Sequence, residues 1–380
     1  MSTTFQILLC VFLASAFLGA MVIELLLVVT YKRRLFDKPD ARKQHAYPVP
    51  RLGGVAFLPV LMITLAVTIG MMYHLGLTGY FAQEYDVLIQ LSVLLGSGML
   101  MYIVGVADDL VDVNYRFKLL FQFVASCIVV LSGLWIKDYC GLFGIDGLKG
   151  IIGMPLSVLL IMYIMNSINM IDGIDGLASG LGILSLLTLT LIAYAENHFL
   201  HMLIGVSMLG VVAVFWLFNM FGSRERSTKV FMGDSGSLTL GLILSFLIIN
   251  ASDFGGGNPV WSGYYLAIGF STLIIPLLDV PRIIISRLAR HRSPFQPDRN
   301  HIHHLLLRCG LSQHVTLAVL LGVDAVMILL NVFLCLKLSV TWMFCIDVLL
   351  WYAFTAAVSL TVRRKEKTSL SAQPTETPDR

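Results

Sequence analysis

Four short motifs combine carboxylates with glycines, amides or histidines, and each lies at the end of an apolar stretch long enough to cross a membrane. They are Asp108-Asp109-Leu110-Val111-Asp112, 169–176, 232–236 and 297–304. A charge is costly at membrane depth, so acids kept at these junctions are candidates for function. Carboxylate and amide oxygens bind Mg²⁺, and arginine and histidine donate hydrogen bonds to phosphates. The motifs therefore predict a metal-dependent site at the membrane surface.

The first motif has the spacing of an acidic site on a helical turn. Positions i, i+1 and i+4 place Asp108 and Asp112 on one face of a helix and Asp109 beside them. Such carboxylates could share Mg²⁺ or a Mg²⁺–diphosphate. A single pair of aspartates would more often be a solvated helix cap. Three acids at the end of an apolar helix, followed by Lys118, favour the functional interpretation.

The second motif alternates acids with glycines between two apolar stretches. Gly173 and Gly176 allow a tight turn and a close approach of the backbone to a ligand. Asp172 or Asp175 could cap the next helix, but capping needs only one acid. The second acid and the amide of Asn169 therefore favour binding of a metal or a phosphate.

The third motif, Met232-Gly233-Asp234-Ser235-Gly236, opens another apolar stretch. Taken alone, Asp234 is more typical of a helix N-cap, since capping is common and contributes ~1 kcal/mol. Asp234 becomes a candidate metal ligand only because the other acidic motifs occur in the same chain.

The fourth motif lies in a loop that also carries several arginines. Its His-x-His-His spacing could suggest zinc, but neither a cysteine nor a fourth ligand stands nearby. A cationic, hydrogen-bonding pocket for phosphates fits better. The residues that would form it are Asp298, Arg299, His301, His303 and His304.

The elements that must position these motifs are membrane helices. The chain has 380 residues, of which 57% are hydrophobic and 13% charged, and its apolar runs match the ~20 residues that span a bilayer. We expect an all-α polytopic protein with one membrane domain over 1–362 and a polar, disordered tail over 363–380. The eleven predicted spans are near 5–30, 52–75, 87–107, 117–136, 150–168, 176–196, 199–221, 235–252, 260–283, 312–336 and 340–362.

The basic residues predict the orientation. The first span ends in Tyr31-Lys32-Arg33-Arg34, which should remain cytoplasmic, so the N-terminus lies outside and the C-terminus inside. Of 26 Lys and Arg, only Lys137, Lys149 and Lys337 fall in loops assigned to the outside. All four motifs then lie on the cytoplasmic face. The net charge of +3 reflects this topology and contact with anionic headgroups, and we expect no nucleic-acid binding.

Four further acids fall within or near apolar runs and are assigned no part in catalysis. Asp279 precedes Arg282 by three residues, which indicates an ion pair at a helix end. Asp324 and Asp347 have the positions of buried groups that hydrogen-bond between helices. Glu24 receives the same interpretation.

The motifs DDLVD, NMIDGIDG, VFMGDSGS and PDRNHIHH, in this order, resemble those of the polyprenyl-phosphate N-acetylhexosamine-1-phosphate transferases, glycosyltransferase family 4. The resemblance extends from Asp37-Lys38-Pro39-Asp40 to about Gly310. The eleven spans and the HIHH motif resemble the undecaprenyl-phosphate GlcNAc-1-phosphate branch more than the phospho-MurNAc-pentapeptide translocase.

The resemblance implies a reaction in which a UDP-N-acetylhexosamine and a polyprenyl phosphate give polyprenyl-diphospho-N-acetylhexosamine and UMP. It implies Mg²⁺, or Mn²⁺ in its place, an inner-membrane location and a homodimer. Asn169 and Asp234 match the metal ligands, whereas Asp108, Asp109 and Lys118 match the catalytic positions. The matches to substrate-binding positions are Asp37, Asp112, Asp172, Asp175, Asp298, Arg299, His301, His303 and His304.

Physical reasoning agrees with this chemistry. The lipid phosphate and the nucleotide diphosphate are both anions, so Mg²⁺ and the Lys and Arg side chains must offset their repulsion. We favour direct attack of the lipid phosphate, with Asp108 orienting it or accepting its proton, and a phospho-aspartate intermediate remains an alternative. A phospho-MurNAc-pentapeptide transferase is the alternative within the family. An intramembrane prenyltransferase should show a second, similar acidic motif, and a proton-coupled transporter should carry midplane acids in two related halves. The sequence shows neither pattern.

The predicted topology can be tested by cysteine labelling. Cysteines placed at Lys38, Ser227 and Ser293 should react only with reagents that enter the cytoplasm, whereas one at Gly256 should react from outside, because the basic residues orient the spans. The unsubstituted protein gives the background from its own six cysteines. External labelling at Ser227 would contradict a cytoplasmic site.

Overall fold

The protein is described by a computed structural model that covers 3–33, 51–81, 87–145, 147, 149–223, 225–254, 259–291 and 300–371. Within these ranges the chain is helical, and its only extended pairing is an isolated bridge between Leu142 and Ile145. Short 3₁₀ turns precede α2 and α3, at Gly53–Ala56 and Thr78–Phe81. The described α-helices are α1 (Thr3–Arg33), α2 (Phe57–His74), α3 (Val87–Val111), α4 (Tyr115–Leu131), α5 (Gly150–Ile171), α6 (Leu177–Ala195), α7 (Phe199–Phe221), α8 (Gly233–Ala251), α9 (Pro259–Ser271), α10 (Ile274–Leu288), α11 (Ile302–Arg308), α12 (Gln313–Leu334) and α13 (Val340–Ser371).

The predicted all-α, multi-pass architecture is confirmed. Among the described residues, nine helices are long and apolar enough to cross a membrane, and α9 and α10, bent by 67° at a short break, form a tenth candidate span. The eleventh predicted span corresponds to α4, whose 17 residues are short for a bilayer core of ~30 Å. The structure thus gives nine or ten candidate spans where the sequence predicted eleven.

Helix α8 is the centre of the protein. Every residue from Ser235 to Ala251 is buried, which is the pattern of a helix surrounded by other helices. α3, α5, α6 and α9 pack around it, and α3 crosses its first turn at Gly105. A Cβ on Gly105 would lie 2.4 Å from Cα of Ser235. This close crossing brings the acidic end of α3 to the beginning of α8.

The bent pair α9–α10 has its freed backbone groups satisfied by neighbouring helices. Pro281 lacks an N–H, so the carbonyl of Leu277 has no helical donor. The hydroxyl of Tyr163, on α5, donates to that carbonyl. At the break, Oγ of Ser185 donates to the carbonyl of Thr272 at 2.9 Å. These contacts stabilise a bend in an environment that provides little water.

The turn between α6 and α7 lies where the sequence placed it. α6 ends at Ala195, α7 begins at Phe199, and Asn197 between them has a φ of 59°. Asparagine tolerates this left-handed conformation better than most residues. The separation of the two spans over three residues is therefore confirmed.

Helix α13 extends beyond the predicted boundary at 362, where the sequence analysis expected a disordered tail. Arg, Lys and Glu favour helix, and the extension also docks on α11. Nζ of Lys365 donates to the carbonyl of Cys309 at 2.5 Å, and Arg308 pairs with Glu366 at 2.5 Å. The chain is therefore helical as far as Ser371, and only 372–380 of the predicted tail lie outside the described residues.

The crossing of α3 and α8 predicts opposite effects of two identical substitutions. Gly105→Ala should lower the thermal stability in detergent, because its methyl group meets backbone atoms of α8 and overpacking costs ~1–3 kcal/mol. Gly96→Ala, on the same helix but in open space, should raise stability by up to ~1 kcal/mol. Equal melting temperatures for the two variants would contradict the close crossing.

Candidate active site

The predicted residues Asp108, Lys118, Asn169 and Asp234 meet in one hydrogen-bonded network at the ends of α3, α4, α5 and α8. Nζ of Lys118 lies 2.9 Å from Oδ2 of Asp108 and also donates to Oδ2 of Asp234. Nδ2 of Asn169 donates to Oδ1 of Asp234 at 3.1 Å and to Oγ of Ser237 at 2.8 Å. Two carboxylates thus share one ammonium group, beside an amide from a third helix.

Asp109 has a different environment from Asp108, although the two are adjacent in sequence. Its Oδ1 accepts the backbone N–H of Asp234 at 2.7 Å, and its Oδ2 accepts that of Ser235 at 3.0 Å. Gly233 has a φ of 71°, and a Cβ there would lie 2.6 Å from both Asp109 oxygens. Asp109 therefore caps the N-terminus of α8, and its position depends on a glycine before Asp234.

Asp112 does not join the other acids of its motif. α3 ends at Val111, and Asp112 follows with a φ of 52° and an exposed side chain. The three acids of the motif therefore do not share one helical turn as the spacing predicted. Asp108 turns back toward the loop instead, where its Oδ1 accepts the N–H of Val113 at 2.9 Å.

A buried lysine that the sequence analysis did not select fixes the second motif. Nζ of Lys229 donates to Oδ2 of Asp175 at 2.7 Å and to the carbonyl of Asn219. Asn219 in turn accepts the N–H of Gly176 at 2.6 Å and donates to the carbonyl of Val230 at 2.8 Å. The available signals were a lysine three residues before the third motif and an asparagine in the apolar α7.

Asp172 follows the end of α5 and lies near the other acids of the site. Desolvation by the surrounding protein atoms raises the pKa of its carboxyl group to about 7. The charges of Asp234, Asp175 and Asp109 add to the rise in pKa, and Arg51 opposes it. The raised pKa of Asp172 therefore reflects its position among the other acids of the site.

The histidine motif packs against the second motif. A Cβ on Gly173 would lie 2.3 Å from Nε2 of His303, so only glycine leaves room for that ring. The rings of His301 and His303 stack with centroids 5.7 Å apart, and that of His304 lies 4.3 Å from His303. Burial lowers the pKa of His303 to about 3, so this residue is neutral and does not supply the positive charge that the sequence suggested.

Asp279 was left out of the site, yet it binds a site residue. It forms the predicted ion pair with Arg282, at 2.7 Å, and its Oδ2 also lies 2.9 Å from Nδ1 of His301. Asp347 accepts from Nδ2 of Asn331 on α12, as expected for a group between helices. Asp324 is buried, and neither of its oxygens has a hydrogen-bond partner among the described residues.

A pair of amides lies one helical turn from the central network and was also missed. Nε2 of Gln122 donates to Oδ1 of Asn166 at 3.3 Å, and Nδ2 of Asn166 donates to Oε1 of Gln122 at 2.6 Å. Gln122 follows Lys118 by four residues, and Asn166 precedes Asn169 by three. The pair therefore connects α4 to α5 directly below the two site residues, and its helical spacing was the available signal.

Three predicted site residues, Asp37, Asp298 and Arg299, lie outside the described residues. Within the described ranges, no group of three or more His, Cys, Asp or Glu side chains converges closely enough to hold a metal ion. The oxygen donors that could contribute to one are Asp108, Asp234 and, after rotation of its amide, Asn169. This set fits a hard cation that keeps water or phosphate oxygens as its other ligands, and the ammonium of Lys118 shows that the position favours positive charge.

Residues 91–252, which contain the first three motifs, match the family described as glycosyl transferase family 4. Three similar proteins bear the name undecaprenyl-phosphate alpha-N-acetylglucosaminyl 1-phosphate transferase. The one from Yersinia pestis is 28% identical over 288 residues, or 75% of this chain and 72% of its own. The one from Escherichia coli is 27% identical over 286 residues, with 75% and 72% covered. For Haemophilus influenzae the identity is 28% over 296 residues, or 77% of each chain.

The capping contact predicts that Asp109→Asn lowers thermal stability. One amide oxygen would replace two carboxylate oxygens, so one of the two backbone N–H groups would lose its acceptor, which costs ~1–3 kcal/mol for a buried donor. Asp112→Asn is the matched control, because Asp112 is exposed and asparagine tolerates its positive φ. Thermal unfolding in detergent is the measurement, and an unchanged melting temperature in Asp109→Asn would contradict the cap.

Proposed function

We propose that this chain is a polyprenyl-phosphate sugar-phosphate transferase of glycosyl transferase family 4, which transfers GlcNAc-1-phosphate from UDP-GlcNAc to undecaprenyl phosphate and releases UMP. The match of residues 91–252 to that family, the similar proteins of 27–28% identity and the candidate membrane spans support this proposal and the recognition made from the four motifs. The observation that supports the proposal most is the position of Lys118 between Asp108 and Asp234, beside Asn169.

This arrangement suits a reaction between two anions. The lipid phosphate and the nucleotide diphosphate repel each other, and Lys118 supplies a positive charge where they would meet. Asn169 and Asp234 are the proposed holders of Mg²⁺, for which Mn²⁺ could substitute. When bound, the ion neutralises phosphate charge and polarises the phosphoryl oxygens.

The chain's own residues would orient the reactants and stabilise charge, which is what phosphoryl transfer mainly requires. Asp108 is the group proposed to orient the lipid phosphate or to accept its proton, and Lys118 holds Asp108 in place at 2.9 Å. Asp109 fixes the beginning of α8 and thereby Asp234. Both oxygens of Asp109 are engaged by backbone N–H groups, which supports direct transfer over a phospho-aspartate at this residue.

The second and fourth motifs are proposed to bind the nucleotide sugar. Asp172 and Asp175 lie in one loop that Lys229 anchors, and His303 packs on Gly173 of the same loop. The acidic loop of the second motif and the histidines of the fourth motif are thus adjacent. Asp37, Asp112, Asp298, Arg299 and the remaining histidines, His301 and His304, are proposed substrate contacts on the strength of the resemblance.

The location follows from the distribution of basic residues. With Lys and Arg concentrated in the loops of one side, the site should face the cytoplasm. The membrane would then be the cytoplasmic membrane, where UDP-sugars are accessible to the enzyme. The product would be the first lipid-linked intermediate of a cell-surface polysaccharide.

The sugar selectivity gives a direct test with purified protein, Mg²⁺, undecaprenyl phosphate and each UDP-sugar in turn. UMP release should be efficient with UDP-GlcNAc and absent with UDP-MurNAc-pentapeptide, because the fourth motif, 297–304, is short and its sequence is mainly polar, which suits a bare sugar better than a peptide. Asp234→Asn should lower turnover by ~10²–10³-fold, although asparagine caps a helix as well as aspartate does.

Asp253→Asn is the control, since Asp253 forms an exposed ion pair with Lys137 and such pairs contribute little. It should keep the wild-type rate. Efficient use of UDP-MurNAc-pentapeptide would contradict the assignment of the sugar but leave the reaction class. Near-normal turnover in Asp234→Asn would show that this residue is only a helix cap.

A further inference from the structure

One buried carboxylate, that of Asp279, connects the bent pair α9–α10 to the beginning of α11, which carries the histidines of the fourth motif. Asp279 of α10 is fully buried, and both of its oxygens are engaged. Its Oδ1 accepts from Nε of Arg282 at 3.0 Å and from Nη2 at 2.7 Å. Its Oδ2 lies 2.9 Å from Nδ1 of His301 and 3.3 Å from the backbone N of Ile302. An ion pair alone would need only the first of these oxygens.

Arg282 extends the same anchor to the residue before the histidines. Its Nη2 donates to the carbonyl of Asn300 at 2.6 Å as well as to Asp279. The backbone that enters α11 is therefore held on both sides of His301, at the carbonyl of Asn300 and at the N–H of Ile302. The ring of His301 is held between these two points.

The contact with a carboxylate also selects the protonation of the imidazole. A carboxylate accepts hydrogen bonds, so it favours a proton on Nδ1 of His301 and leaves Nε2 as the nitrogen that can face a ligand. The ring of His301 stacks on His303 at 5.7 Å with planes 9° apart, and His303 packs on Gly173. Asp279 thus determines the orientation of a ring that lies between two of the motifs.

A comparison within the chain separates this role from simple helix packing. Asp347 is also a buried membrane aspartate, but it contacts the side chain of Asn331 on the neighbouring α12. Asp279 instead reaches a histidine and the backbone next to it, across 22 and 23 residues of chain. Its hydrogen bonds are therefore directed at the histidine motif.

We propose that Asp279 is a positioning residue that acts through His301. It holds the ring as the Nδ1–H tautomer, with Nε2 available to the phosphate or sugar of the donor substrate, while Arg282 keeps the carboxylate paired. This inference rests on the proposed function for the identity of the substrate, but the orientation of the ring can be measured without it.

The first experiment is nitrogen-15 NMR of histidine-labelled full-length protein in detergent, with the His301 signals assigned by their loss in His301→Gln. The wild type should show a proton on Nδ1 of His301. In Asp279→Asn the preference should shift to the Nε2–H tautomer, because an amide group is a weaker acceptor that can also donate. Retention of the Nδ1–H tautomer in Asp279→Asn would overturn the proposal.

The second experiment is a double-mutant cycle on kcat/KM for UDP-GlcNAc. Asp279→Asn should lower kcat/KM by about 10- to 100-fold, as the loss of a group that orients a ligand typically does. Adding it to His301→Ala should cause little further loss, because the effect passes through the same ring. Full losses that multiply in the double variant would show a structural role and overturn the proposal.

The controls keep the result interpretable. Asp347→Asn, which disturbs a buried aspartate away from the site, should keep the wild-type kcat/KM. If Asp279→Asn does not fold, the wild-type spectrum decides alone, because an Nε2–H tautomer of His301 beside Oδ2 of Asp279 would overturn the proposal. Failure of the wild type to release UMP would refute the proposed function, and the NMR comparison would still decide whether Asp279 holds His301.

Discussion

The arrangement of the site depends on the buried N-terminus of α8. The first N–H groups of a helix have no partner within it, and inside a membrane protein few waters replace one. Asp109 satisfies two of them, those of Asp234 and Ser235. The positive end of the helix dipole and the ammonium of Lys118 together offset the repulsion among Asp108, Asp109 and Asp234.

Close backbone approaches make that arrangement geometrically possible. A Cβ on Gly54 would lie 2.1 Å from Cα of Gly236, and Gly105 is nearly as close to Ser235. The N–H of Gly54 donates to the carbonyl of Met232 at 2.9 Å. Glycines on all three segments, Gly54, Gly105 and Gly236, therefore let α3 and the turn before α2 pack closely against the first turn of α8. Gly105 and Gly236, which allow this packing, lie within three residues of Asp108 and Asp234.

Hydropathy was enough to predict the helical membrane fold, and the first three motifs lie within the residues that match glycosyl transferase family 4. The separate tasks of Asp108 and Asp109 could not be predicted, because adjacent residues of one type have the same local pattern and differ only in what lies across from them. The same holds for Lys229 with Asp175 and for Asp279 with His301, whose partners are 54 and 22 residues away. The continuation of α13 beyond 362 was not predicted, because its polar composition is compatible with both a disordered tail and an exposed helix. The contacts of Lys365 and Glu366 with the end of α11 favour the helix.

The hydroxyl of Tyr163 on the carbonyl that Pro281 frees has a mechanical consequence. α5 carries Asn169 at its end and α10 carries Asp279, so this hydrogen bond couples the helix beneath the proposed metal ligand to the helix beneath the histidines. The hydrogen bond lies within α10, beyond the break that separates it from α9, so a movement of α10 relative to α5 would have to break it. Contacts that are formed before ligands arrive do not draw on the binding energy, and more of that energy remains for aligning the lipid phosphate and the nucleotide diphosphate.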